Sequence, residues 1–171
     1  ATLEAGDTVL DLGSGGGIDV LLSARRVGPT GKAFGLDLTD EMLALARENQ
    51  RQAGLTNVEF LKGQIEEIPL PGDSVDIIIS NCVINLSPDK DAVYNEAFRI
   101  LQFGGRLAVS DIVLTAEIDS ELRARFQSTW SGCLGGAVPE GDYWQAVRKA
   151  GFAGIVIVAR HPLAPEELEA A

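Results

Sequence analysis

The chain has 171 residues, 46% of them apolar and 23% charged, which are the proportions of one globular domain with a real core. Fourteen lysines and arginines against 25 acids leave a net charge of −11, which argues against nucleic acid and against an anionic membrane surface as partners. Two cysteines far apart are no disulfide framework, and no apolar run is long enough to cross a bilayer. No secretory pattern opens the chain, so a cytoplasmic location is expected. The first residue is Ala1 rather than Met and the first expected strand begins by Thr8, so the expectation is that N-terminal sequence is missing from a single domain over residues 1–171.

Thr8 to Leu12 is a short apolar run that ends in glycines and predicts the first strand. Ile18 to Val27 carries Ile18, Leu21, Leu22 and Val27 at helical spacing, and Gly28-Pro29 stops it. Lys32 to Leu38 predicts strand two, and Thr39 is an N-cap candidate for a helix from Asp40 to Ala53 that ends at Gly54. Asn57 to Lys62 and Ser74 to Ser80 predict strands three and four. Ser87-Pro88-Asp89 predicts a helix start, with a capping hydroxyl, proline at the first helical position and acids in the first turn. Val93, Ala97, Ile100 and Leu101 form its apolar stripe. Gly104-Gly105 is expected to close it, with strand five over Arg106 to Asp111. Helical patterns follow near Ser120 to Trp130 and Glu140 to Lys149, then a last strand over Gly154 to Arg160 and a solvated acidic tail from Pro165. Strands alternating with helices of this length imply an α/β fold, a doubly wound and mostly parallel sheet with ligands beyond the strands' carboxyl ends.

Asp11-Leu12-Gly13-Ser14-Gly15-Gly16-Gly17 bridges the first strand and helix. Glycines there let the backbone turn sharply and approach a ligand. Asp37, twenty residues past Gly17, ends strand two, where a carboxylate can accept hydrogen bonds from a ribose diol. That arrangement serves NAD and S-adenosylmethionine alike. A dinucleotide fingerprint from Gly13 needs glycine at position 18, where Ile18 stands, and Asp11 suits a cationic ligand, so S-adenosylmethionine is the expected cofactor. Gln64 and Ile65, after strand three, could bond the edge and cover a face of its adenine, or could simply be a strand-to-loop transition. With Ser14, Leu38 and Asn81 these residues make up the expected cofactor-binding set.

Cys82 falls just past the end of strand four, and Cys133 lies in a run of small residues. Two soft thiolates facing a cofactor pocket would select a thiophilic substrate. Each could equally be a small packing residue. Asn81 and Asn85 flank the first thiol, where turn chemistry explains them as well as any contact to a ligand.

The chain resembles the class I S-adenosylmethionine-dependent methyltransferases, and more narrowly the arsenite methyltransferases. The resemblance rests on Asp11 to Gly15, Gly35 to Leu43, Ser80 to Lys90, Gly105 to Asp111 and Gly132-Cys133. The Ser80 to Lys90 stretch is the most specific. The resemblance implies a Rossmann-like methyltransferase fold and methyl transfer to trivalent arsenic. It implies Cys82 and Cys133 as arsenic ligands, and arsenite with a small thiol or thiol reductant as partners. Some members carry a third thiol in the first helix, where this chain has Gly17-Ile18-Asp19-Val20. A thiol-bearing segment usual ahead of strand one is also missing from these residues. Gln64 stands where an acid is expected, and Phe103 where proline is common.

Trivalent arsenic bound to thiolates keeps a lone pair and has no proton to lose, so no general base is required, and the single histidine, His161, is a poor candidate for one. The stretch Arg125 to Val138 is expected to bring Cys133 over Cys82. A rival function is C- or O-methylation of a small organic molecule such as a quinone precursor, with Asp111 as base. A second rival is a non-catalytic protein that binds metalloid or cofactor.

Overall fold

The computed structural model describes residues 2–115 and 135–162. Its elements run Thr8–Leu12 (β1), Ile18–Val27 (α1), Lys32–Asp37 (β2), Asp40–Ala53 (α2), Val58–Lys62 (β3), Val75–Asn81 (β4), a 3₁₀ turn at Ile84–Leu86, Lys90–Ile100 (α3), Leu101–Ser110 (β5) and Glu140–Lys149 (α4). The strands form one sheet in the order β3-β2-β1-β4-β5, with every pairing parallel. Helices α1, α2 and α3 supply three of the connections between these strands, and a loop joins β3 to β4. The chain order reverses between β1 and β4, and in sheets of this kind ligands bind beyond the carboxyl ends at that switch point.

Alternation along β1 divides the core. Leu10 and Leu12 face α3 and α4, in a cluster with Leu36, Ile78, Tyr94, Ile100 and Val147. Val9 turns the other way, towards Val27 of α1 and Ile77. Val20, Ala24, Leu43, Ala46 and Phe60 join α1 and α2 to β2 and β3 on that second face.

The bounds of α1 and α2 agree with the sequence reading, because Gly28 and Gly54 stop them with positive φ. Four other expectations change. In α1, Ile18 and Leu22 point outward at 69% and 57% exposure, and the smaller Val20, Ser23 and Ala24 make the packing face beside Val27. The third helix starts later, at Lys90, with the Asp89 carboxylate accepting from Ala92 N–H at 3.0 Å. Ser87 is occupied elsewhere. This helix runs directly into β5 at Leu101, so Gly104-Gly105 does not close it; the pairing with β4 shifts register between Val75 and Ile77, where the partner jumps from Leu101 to Arg106. No strand forms over Gly154 to Arg160. A β-rich run is stable only against a partner strand, and here β5 pairs with β4 alone among the described residues. Ile155 packs on the core, Val156 and Val158 are exposed, and Arg160 makes a bidentate pair with Glu140 at 2.6 and 2.8 Å. The expected helix over Ser120 to Trp130 and the tail from Pro165 lie outside the described residues. No helix among the described residues is long and apolar enough to cross a membrane.

Candidate active site

The loop after β1 holds Gly13, Gly15 and Gly17 at φ of 68°, 50° and 82°. Their missing side chains serve different ends. A Cβ on Gly13 would lie 2.4 Å from Val83 Cγ2, and one on Gly17 would lie 2.6 Å from the Phe60 ring. At Gly15 nothing lies within 4 Å of that position, so a side chain there would face open space. Lacking a side chain, Gly13 admits the residue that follows Cys82, and Gly17 admits a core ring.

Asp37 ties the loop to the end of β2. Its Oδ2 accepts from Gly15 N–H at 2.9 Å, and its Oδ1 accepts from the N–H and hydroxyl of Thr39, both at 2.9 Å. Thr39 therefore sits at the N-cap of α2 without making a cap bond. A carboxylate offers about four acceptor sites, so Asp37 can still receive a sugar hydroxyl.

Asp11 is only 4% exposed. Burial first, then the charges of Asp19 and Asp37, push its carboxyl up from 3.8 to about 7. A buried acid facing other acids gains most from a cationic guest. Ser14 is also buried, with its N–H on Leu36 O at 2.9 Å and its hydroxyl without a partner. An open Gly15, an uncompensated Asp11 and an orphaned Ser14 hydroxyl together fit a cationic nucleoside such as S-adenosylmethionine. Of the remaining expected contacts, Leu38, Gln64 and Asn81 are exposed at strand ends, and Ile65 is half-buried against the larger core.

The second half of the site is the turn after β4. Cys82 is half-buried and takes a φ of 55°, one of two described non-glycine residues in the left-handed region. For a side chain with a Cβ this costs roughly 1–2 kcal/mol. Its N–H donates to Ser110 O at 2.8 Å. Asn85, only 2% exposed, donates through Nδ2 to Asp111 Oδ1 and to Ile112 O, both at 2.7 Å. Burial raises Asp111 to about 6, opposed by hydrogen bonds from Ile112 and Asn85 and by the charge of Lys90. Ser87 donates to Glu66, which links this turn to the loop carrying Gln64 and Ile65. Beneath it Tyr94 and Tyr143 meet edge to face at 5.7 Å, and burial holds both phenols above their ordinary range. The nearby Asp111 carboxylate adds to that effect at Tyr143.

Cys133 and most of the stretch Arg125 to Val138 lie outside the described residues. Among the described residues no group of three or more His, Cys, Asp or Glu is arranged to hold a metal ion. Val83, Glu66, Tyr94 and Tyr143 had no assigned part in the sequence reading. A polar Asn85 inside the apolar run Val83-Ile84-Asn85-Leu86 was the one available signal, since a buried amide demands partners.

Sheet order, glycine loop and terminal acid define the class. The chain matches the methyltransferase domain family over residues 3–151 and belongs to it. Within that class it is a close homologue of arsenite methyltransferases, at 42% identity to the one from Halobacterium salinarum over 160 residues, 94% of this chain and 41% of that protein. The crystal structure of an arsenic(III) S-adenosylmethionine methyltransferase from Chlamydomonas reinhardtii superposes with a TM-score of 0.80 at 37% identity, covering 88% of this chain and 53% of that one. A demethylmenaquinone methyltransferase from Listeria welshimeri is 35% identical over 109 residues, 64% of this chain and 46% of that protein. The chain thus spans about half the length of these relatives, or less. S-adenosylmethionine is the cofactor that this fold and this homology support.

Proposed function

We propose that the chain catalyses methyl transfer from S-adenosylmethionine to trivalent arsenic held on the thiolates of Cys82 and Cys133. The observation behind this reading is Cys82 itself, half-buried past the carboxyl end of β4, with the next residue packed on Gly13 of the cofactor loop. Thiolate sulfur is the soft ligand that trivalent arsenic prefers. Asp11 would face the cofactor's positive charge, Asp37 and Gly15 would hold its ribose side, and Gln64 and Ile65 its adenine. When bound, S-adenosylmethionine supplies an electrophilic methyl carbon, which the lone pair of the arsenic substrate can take. The protein's part is then to fix the thiol close to the cofactor loop and keep it there. Cys82 binds arsenic as thiolate, so binding releases a proton near neutral pH.

A second reading is methylation of an acidic carbon or oxygen in a small organic acceptor. Asp111, raised to about 6 by burial, is the base it would use.

The test is incubation with labelled S-adenosylmethionine, arsenite and a small thiol, comparing wild type, Cys82→Ser and Cys133→Ser. Labelled methylarsenicals from the wild type, lost in both variants, support the arsenic reading. Methylation of an organic acceptor that survives both changes would replace it with the second.

A further inference from the structure

We propose that Asn85 is a positioning residue for the Cys82 thiol, a role that rests on the arsenic reading for its effect on turnover. A side chain in the left-handed region keeps that conformation only where its surroundings over-determine it. Three described contacts do so here. Upstream, the N–H of Cys82 itself is bonded to Ser110 O. In the middle, Val83 fills the space that Gly13 vacates. Downstream, the Asn85 carboxamide fastens the 3₁₀ turn to the end of β5 through its two bonds to Asp111 and Ile112.

The chemistry of that last contact selects asparagine. Asp111 Oδ1 and Ile112 O are both acceptors, so the group between them must offer two N–H donors, and a carboxamide does. Aspartate offers none and would meet a second carboxylate in a buried place. Serine offers one. The same two acceptors fix the orientation of the amide, with Nδ2 towards β5. The Asn85 oxygen is left buried and without a partner. A buried orphan of this kind is costly, and it is tolerated where the turn's geometry is what the structure must keep. Asn85 acts through the backbone of the turn that carries the thiol.

The experiment has two arms. In a Cys133→Ser background Cys82 is the sole cysteine, and its iodoacetamide alkylation rate is followed across pH. Asn85→Ala is expected to shift that profile by about tenfold while S-adenosylhomocysteine affinity stays within about twofold. In the two-cysteine protein Asn85→Ala is expected to lower arsenite turnover about tenfold, in kcat rather than in the KM for S-adenosylmethionine. Alkylation and turnover both unchanged in a variant that binds S-adenosylhomocysteine normally would overturn the proposal. Should Asn85→Ala not fold, Asp111 decides. Asp111→Ala removes the acceptor, whereas Asp111→Asn retains an oxygen for the same amide, so recovery of the alkylation profile by asparagine supports positioning and its failure to recover rejects it. The alkylation arm contains no arsenic, so a wild type inactive on arsenite would sink the proposed function and leave the role of Asn85 to be judged by itself.

Discussion

The cofactor loop and the thiol turn stand at the ends of two paired parallel strands, β1 and β4, yet they are held by different means. The cofactor loop is shaped by main-chain geometry: glycines at positive φ, a strand-end carboxylate on two backbone N–H groups, and Ser14 N–H on Leu36 O. The thiol turn is shaped by side chains, Asn85 within the turn itself and its partners from elsewhere, Asp111 just past β5 and Glu66 in the loop after β3. A loop of the first kind depends on lacking side chains where Val83 and Phe60 approach it, and on one carboxylate from the next strand. A turn of the second kind fails when one distant partner is altered. Gly13 against Val83 is the seam between them.

The sharpest way to separate the two regions is Cys82→Ser. Arsenite methylation should fall by at least on the order of 100-fold, because an alcohol is a poor ligand for a soft metalloid, while calorimetric binding of S-adenosylhomocysteine stays unchanged. A parallel loss of cofactor binding would show that the halves are not separable.

The seam comes next in size. Gly13→Ala adds a Cβ 2.4 Å from Val83 at a positive φ and should cost roughly 3 kcal/mol by denaturant melting, with Cys82 alkylation disturbed as well. Gly15→Ala meets no protein atom within 4 Å, so its stability cost should be about 1 kcal/mol from backbone conformation alone, with cofactor affinity carrying the larger loss. Equal stability costs at the two glycines would erase the distinction drawn between them.

The acid of the cofactor half gives a smaller effect with a definite sign. Asp11 is raised from 3.8 to about 7 in the fold, so the stability it contributes is fully present below 3.8 and is lost as pH rises towards and through 7. A bound cation favours the ionised carboxylate, so affinity for S-adenosylmethionine should rise between about pH 6 and pH 8. Asp11→Asn should flatten both trends in calorimetry and thermal melts. S-adenosylhomocysteine, lacking the sulfonium charge, should show a shallower slope than S-adenosylmethionine. Asp19 and Asp37 face the same carboxyl, and Asp19→Asn is expected to lower the midpoint slightly, the smallest change of the set.

The same contrast explains what could be read without coordinates. The placements of Asp11, the glycine loop and Asp37 were legible, because strand, glycine turn, helix and second strand follow one another in local spacing. So were α1 and α2, whose ends are written as Gly28 and Gly54. The outward turn of Ile18 and Leu22 was not, because helical spacing names two faces and only packing chooses between them. The start of β5 was hidden because α3 passes into it with no glycine stop, and Gly104-Gly105 falls where the register shifts instead. In the thiol turn the cysteine itself was legible, but its left-handed backbone was not, since nothing about a cysteine announces positive φ. Asn85 to Asp111 and Ser87 to Glu66 join loops of different crossover units, and no motif spacing announces them as Asp37 is announced by the glycine loop.

Position 82 carries one further consequence. Glycine occupies left-handed backbone without the penalty a Cβ incurs, so Cys82→Gly would relieve roughly 1 kcal/mol of strain. A laboratory campaign that selects this chain for heat resistance alone would therefore tend to discard the sulfur early and report the result as an improvement. Libraries built to toughen the scaffold should leave that codon untouched.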